Sequence, residues 1–284
     1  MPNAAAATTA DAAAFAAFDA GTLEQALRTI VPDLVVEAAA EVDSTNTRLV
    51  ERARSGKTSP CLLVAEQQHA GRGRQGRRWQ SRSDASLTFS LGIALAPRTW
   101  SGLSLAVGLA IAESLDPPLA ASAPRLGLKW PNDLLMIDPG GHRKAAGILI
   151  EMLSVAGTRV AVIGIGLNLA PQPTDSPATG YGWIGEIDPG CDGKTVLARV
   201  APALLRTVLA FEREGFAPLR ARYRTRDLLL GQPITTSLPD LPGGIAEGVD
   251  DEGVLWISVD GRRHPVGAGE VSVRAASLSR PGGC

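Results

Sequence analysis

Residues 71–79 read Gly-Arg-Gly-Arg-Gln-Gly-Arg-Arg-Trp, with Arg82 close behind. Guanidinium forks suit carboxylates and phosphates. Glycines permit backbone angles that other residues resist, and they let a ligand approach the main chain. Such a loop repels itself and is hard to bury, so it makes sense where an anion arrives and orders it. Three readings fit. One is a solvated basic loop. The second is a dinucleotide fingerprint, since Gly71, Gly73 and Gly76 match G-x-G-x-x-G. The third is a loop gripping a phosphorylated or adenylated small molecule. The fingerprint requires a helix opening at its last glycine and an acidic residue about 20 positions on. Here Arg77-Arg78-Trp79-Gln80-Ser81 follows, with no apolar helical stripe.

Two other stretches could do chemistry. Asp43-Ser44-Thr45-Asn46 is a run of helix-capping residues. Capping alone explains it; hydroxyls and amides left over from capping could also face a ligand. Gly164 and Gly166 lie two apart on a strand, hence on one face. Glycine there marks close approach by a ligand or another backbone. The cysteines, Cys61, Cys191 and Cys284, show no metal-site spacing and fit a reduced compartment.

The elements that must position these residues are legible in outline. With 284 residues and 45% apolar content, the chain can build a sizeable core. A net charge of −1 makes the arginine loop a local feature and argues against a dedicated nucleic-acid binder. The alanine-rich start lacks a basic leader region, so neither signal peptide nor membrane span is expected. Thr22-Leu23-Glu24-Gln25 predicts a capped short helix through Ile30, with no helix-turn-helix before the main domain. Strands are predicted over 34–42 and 61–65, with a helix between them ending at Gly56. Leu87, Phe89, Leu91, Ile93 and Leu95 alternate with small residues, which predicts a strand with one core face and one face left open for a helix or ligand.

A helix follows over 101–115, then strands over 126–130 and 134–137, interrupted by Lys129-Trp130-Pro131-Asn132-Asp133. Strands at 145–151 and 160–167 precede a long Pro/Gly-rich loop carrying Tyr181 and Trp183. The period over 194–214 predicts a helix, and Pro202, costing roughly 3 kcal/mol in a helix interior, predicts a kink or boundary within it. A further helix is predicted over 217–226. From Leu230 short strands at 233–237, 245–249, 254–259 and 271–274 predict a small all-β, barrel-like module.

With these pieces in order, the chain resembles the biotin protein ligases. The residues that carry the likeness are Asp43-Ser44-Thr45-Asn46, Gln68 with the 71–79 loop, Lys129-Trp130-Pro131-Asn132-Asp133, Lys144-Ala145-Ala146-Gly147-Ile148-Leu149, and Gly164-Ile165-Gly166-Leu167-Asn168. The resemblance implies an α/β fold: a mixed β-sheet with flanking helices, plus a small C-terminal SH3-like β-barrel. The expected division is an N-terminal tail and short helix over 1–40, a catalytic domain over 41–228, and the barrel with its tail over 229–284. It implies a cytoplasmic enzyme that makes biotinoyl-5′-AMP from biotin and ATP, with Mg2+, and passes biotin to a lysine of a biotin carboxyl carrier protein. It implies neither a membrane partner nor, without a DNA-binding head, a repressor role.

By the same resemblance, Ser44, Thr45, Asn46, Gln68, Arg72, Gly73, Arg74, Lys144, Gly164 and Gly166 serve biotin. Arg74, Trp79, Lys129, Asn132, Lys144, Asn168 and Trp183 serve the nucleotide, Lys144 and Arg74 being catalytic and Asp133 a metal ligand. A lipoate–protein ligase shares this logic but not the Gly/Arg run.

Overall fold

The computed structural model describes residues 20–83, 85–118, 122–173, 180–269 and 271–275. The expected tail before residue 20, the end of the chain after 275 and part of the long loop after 170 lie outside the described residues. In chain order the first elements are α1 (Ala20–Arg28), β1 (Val35–Val42), α2 (Thr45–Arg54), β2 (Cys61–Gln68), β3 (Ser86–Ala94) and α3 (Leu103–Leu115). Then come β4 (Leu126–Lys129), β5 (Asp133–Met136), β6 (Arg143–Val155), β7 (Thr158–Asn168), α4 (Gly193–Glu214) and α5 (Arg220–Arg224).

Strands β1 to β7 form one mixed sheet in the order β1-β2-β3-β7-β6-β5-β4. The β1–β2 pair, joined through α2, is parallel, and the other neighbours are antiparallel. Residues Leu23 and Leu27 of α1 and Val36 of β1 join the same apolar core as the rest of the sheet. The division expected at residue 41 is therefore not a break in packing.

Sheet coverage differs between the two faces, and this difference makes the site. One face is covered by α3 and α4, against which Leu87, Phe89, Leu91 and Ile93 pack. Helix α3 is buried on nearly every side, as its largely apolar sequence requires. The opposite face is covered at one end only, by α2, where Leu49, Val50 and Ala53 meet Cys61, Leu63, Val160 and Val162. The small residues of β3 lie on this face: Gly92 faces Leu49 of α2, and Ser90 faces Thr45 and Asn46. The open face anticipated for this strand thus receives a helix at one end and a cavity at the other.

Helix α4 runs unbroken through Pro202, contrary to the expected boundary. Val196, Leu197, Val200, Ala201, Leu204, Leu205, Val208 and Phe211 are all buried along it. Each such side chain is worth about 1.5–3 kcal/mol for a large aliphatic group, which together outweighs one proline.

The C-terminal module contains β8 (Pro233–Leu238), β9 (Leu241–Val249), β10 (Leu255–Val259), β11 (Arg262–Val266) and β12 (Val273–Ala275). They pair in the order β11-β10-β9-β8-β12, an antiparallel sheet that its hydrogen bonds do not close into the expected barrel. Strand β11, Arg-Arg-His-Pro-Val, lacks an apolar alternation, and its proline is tolerated because it is an edge strand. The module docks on the main sheet: Trp130 donates Nε1–H to the Gly253 carbonyl at 3.2 Å, and Arg220 donates Nε–H to the Val249 carbonyl at 2.9 Å. Among the described residues no helix is long and apolar enough to cross a membrane.

Candidate active site

A cavity of about 370 Å³ opens where α2 leaves the sheet uncovered. The 71–79 loop, the 129–133 segment, β6, β7 and residues 271–274 of the C-terminal module wall it. All five motif segments reach it.

At one end the groups nearest the sheet are uncharged and already paired, with one ion pair, Arg72–Glu151, at their edge. Ser44 caps α2, which brings Thr45 and Asn46 into the cavity at the first helical turn. Gln68, at the end of β2, accepts on Oε1 from the Thr45 backbone N–H at 2.8 Å and lies 3.2 Å from the Thr45 hydroxyl. Ser90 Oγ lies 2.7 Å from both Thr45 Oγ1 and Asn46 Oδ1. Asn46 Nδ2 donates to the Leu149 carbonyl at 3.2 Å and to Glu151 Oε2 at 3.0 Å. Glu151 also receives Arg72 Nη1 at 3.0 Å, so the first arginine of the loop is tied to β6.

The floor is made of glycine because side chains stand against it. A Cβ at Gly164 would lie 2.1 Å from Asn46 Oδ1, and one at Gly166 would lie 2.2 Å from Trp79 Cε2. Trp79 spans Gly166 and Gly147, and its Nε1 is buried with no hydrogen-bond partner among the described residues. The loop folds back to place it there. Trp79 N–H donates to the Gly71 carbonyl at 2.9 Å and Gly73 N–H to the Arg77 carbonyl at 2.7 Å. Gln75 and Gly76 take positive φ at the tip. Gly71 faces the Trp79 carbonyl so closely that a Cβ would lie 2.5 Å from it.

The other end is charged. Lys144 sits within β6, not in the hairpin before it, with Nζ 2.6 Å from Asp133 Oδ1 and 5.9 Å from the Trp79 ring centre. Asn168, only 4% exposed, donates both Nδ2 hydrogens, one to the Lys144 carbonyl at 2.9 Å and one to the Gly182 carbonyl at 3.0 Å. It therefore fixes the backbone from which Lys144 projects. Arg74 donates to Asn132 Oδ1 at 3.2 Å and to the Ala268 carbonyl at 2.8 Å, with the Gly269 carbonyl beside it. Asn132 is itself held by Nδ2 donation to the Ile148 carbonyl at 2.8 Å. Burial pushes the Lys129 ammonium below its usual pKa; Asp133 opposes this and the neighbouring Lys144 charge adds to it. Burial likewise lowers Arg74. Two cations losing solvation at one spot suit an incoming polyanion.

Trp183 does not line the cavity. Its ring lies between Arg143, 5.6 Å away, and Tyr181, with ring centres 6.2 Å apart, and Tyr181 does line the cavity. Arg143 is held there by Asp138 and Glu186. Every other proposed site residue lines the cavity. The sequence reading passed over Ser90, Glu151 and residues 271–274. Only Ser90 had left a signal, as a small residue on the open face of β3.

Comparison with known proteins agrees with this geometry. Residues 38–168 match the Biotin/lipoate A/B protein ligase family. The chain is 37% identical over 244 residues to a biotin–[acetyl-CoA-carboxylase] ligase of Mycobacterium tuberculosis, covering 83% of this chain and 88% of the relative. It is 36% identical over 241 residues to the bifunctional ligase/repressor BirA of Escherichia coli, covering 83% and 73%. The structure of Aquifex aeolicus biotin protein ligase in complex with biotin and ATP superposes with a TM-score of 0.69 at 28% identity, covering 86% of this chain and 99% of that one. Identity of this extent, on a site of this construction, makes the chain a member of the biotin protein ligase family.

Proposed function

We propose that this ligase joins biotin to ATP as biotinoyl-5′-AMP and then transfers biotin to a lysine of a biotin carboxyl carrier protein. One observation carries the reading: an uncharged, donor–acceptor network and a cluster of cations face each other across one cavity. Biotin has the same two ends, a neutral ureido ring and a carboxylate.

A carboxylate does not acylate an amine unaided, because its oxygen is a poor leaving group. In the first step a biotin carboxylate oxygen attacks the α-phosphorus of ATP, a new P–O bond forms, and pyrophosphate departs with the electrons of the broken bond. Two anions must meet, and charge grows on the phosphoryl oxygens. Lys144 and Arg74 act there as preorganised cations, supported by Lys129. In the second step the neutral carrier amine attacks the acyl carbon and AMP leaves. The Gly/Arg loop, with Trp79, keeps water from the mixed anhydride.

On the biotin side the roles fall to Ser44, Thr45, Asn46, Gln68, Arg72, Gly73, Gly164 and Gly166. Asn132 and Asn168 position the loop and the Lys144 backbone on the nucleotide side. Trp79, packed over Gly147 and Gly166 beside Lys144, serves the nucleotide side as well. Trp183 is read as the adenine platform, reached from the cavity through its neighbour Tyr181.

Magnesium fits the residues present. It is usually held by one or two carboxylates together with substrate phosphates, and Asp133 is the single carboxylate among the cavity-lining residues described. Bound there it would neutralise phosphate charge. Asp133 then serves both metal and Lys144. We further read the C-terminal sheet as SH3-like, the setting as cytoplasmic, and the ligase as acting without sequence-specific DNA binding.

The test is ATP–pyrophosphate exchange with and without biotin, with lipoate in parallel. Exchange that depends on biotin and ignores lipoate is expected. Exchange with lipoate alone would overturn the substrate, and a footprint on promoter DNA would overturn the last point.

A further inference from the structure

We propose that Glu151 is a positioning residue for biotin, acting through Asn46 and Arg72; the inference rests on the biotin reading of the cavity. Glu151 lies further along β6 than Lys144, outside the cavity wall. Its carboxylate nevertheless gathers two residues that do line the cavity from distant parts of the chain. Asn46 Nδ2 donates to Oε2 at 3.0 Å, and Arg72 Nη1 donates to Oε1 at 3.0 Å and Oε2 at 3.2 Å.

The first contact sets the polarity of Asn46. Its Nδ2 faces two groups that only accept, the Glu151 carboxylate and the Leu149 carbonyl. Reversing the amide would put Oδ1 against both, acceptor against acceptor. The amide is therefore held with Oδ1 toward the Ser90 hydroxyl and above Gly164, where it offers a free lone pair to a ligand N–H. A ureido ring carries N–H groups as well as a carbonyl, and this polarity directs Asn46 to an N–H edge; reversal would turn it toward the carbonyl instead. The second contact fixes the loop. Arg72 is half exposed at the side chain and would otherwise be a mobile cation. Paired with Glu151, it pins the start of the Gly/Arg loop to β6 beside the ring end. One carboxylate thus makes ring recognition and loop placement a single event, and it makes neither contact with the charged end of the cavity.

That separation supplies the test. Steady-state exchange is measured on the full chain for wild type, Glu151→Ala, Glu151→Gln, Asn46→Ala and the Glu151→Ala/Asn46→Ala pair. Glu151→Ala should raise the biotin KM tenfold or more, while kcat and the ATP KM stay within about threefold, a hydrogen bond to a charged group being lost at one end only. Glu151→Gln, which keeps the shape and is the arm to read should the alanine variant fold poorly, should raise biotin KM severalfold. Because both single changes remove the same contact, the double variant should fall well short of the product of the two. A merely structural glutamate would shift both KM values or kcat together. Equal effects on biotin and ATP, an unchanged biotin KM in Glu151→Gln, or full additivity would each overturn the inference. Wild type lacking biotin-dependent exchange would instead bring down the biotin reading itself, and this inference with it.

Discussion

The two ends of the cavity are built on opposite rules. At the ring end, Ser44, Thr45 and Asn46 are each under 5% exposed, and their hydrogen bonds are already made within the protein. A neutral ligand meets a network of fixed polarity, and only a few lone pairs are left for it. At the phosphate end the cations rest on partners they must give up or share: Lys144 on Asp133, Arg74 on Asn132 and on backbone carbonyls of the C-terminal module. The difference follows from what each end must recognise. A ground-state ring is bound best by a site that does not change. Charge that develops only during reaction is stabilised by cations that their neighbours already hold in place beside it.

On this contrast, substitutions at the charged end should act on formation or retention of the adenylate and those at the ring end on biotin affinity. The largest effect is expected for Lys144→Ala: adenylate formation should fall by on the order of 10²-fold or more, the scale for one charge stabiliser. The fold should persist, which circular dichroism and melting would verify; a wild-type exchange rate would remove Lys144 from catalysis. Arg74→Gly comes next. It should still form adenylate at saturating substrates but release it about ten- to a hundredfold faster, since a charge-assisted contact of roughly 1.5–3 kcal/mol is lost. Released adenylate acylates any exposed lysine, so a blot of a mixed lysate should show bystander proteins labelled. Labelling confined to the carrier would transfer the grip to another residue.

Gly164→Ala tests the opposite end. Its methyl would meet Asn46 Oδ1 at 2.1 Å, and displacing that amide should raise biotin KM about tenfold, one lost hydrogen bond of roughly 1.4 kcal/mol, with the ATP KM little changed. A change confined to kcat would blur the two ends into one. The smallest effect is expected for Ser272→Ala, which removes the 2.8 Å bond from Ser272 Oγ to Gln75 Oε1 at the exposed loop tip. A change of about twofold in ATP KM is expected from a partly solvated bond of roughly 0.5 kcal/mol. A larger effect on biotin than on ATP would show that the module serves the ring instead.

Much of the site was legible because its residues come in local runs. Ser44-Thr45-Asn46 had to start a helix, the Gly/Arg run had to be a loop, and Gly164 and Gly166 had to share a strand face, so each run could be placed on an element. What escaped was the pairing of distant singles. Glu151 follows an apolar run and reads as an ordinary strand end, although β6 continues to Val155; its meaning lies in Asn46 and Arg72, 105 and 79 residues away. Ala268, Gly269 and Ser272 lie at the C-terminal end of the chain, far in sequence from the loop, and no periodicity signals that their carbonyls and hydroxyl meet Arg74 and Gln75. Strand β11 escaped because edge strands are polar by necessity. Pro202 misled because a local rule was applied where buried contacts along the rest of α4 decide. Trp183 was assigned to the nucleotide by resemblance alone, while its ring lies against Arg143 and Tyr181.

The apolar interior does not stop at the boundary between the two sheets. Trp130, Phe216, Tyr223 and Leu229 continue without a gap into Ile234, Ala246, Leu255 and Val273. Calorimetry of the intact chain should accordingly show one endotherm in which both sheets melt together, with an enthalpy ratio near that of a two-state transition. Residues 20–228 expressed alone would carry a raw apolar wound where the second sheet had been, and would be expected to bind hydrophobic dyes and precipitate. Shortening this ligase to a minimal labelling enzyme therefore has to stop short of that seam.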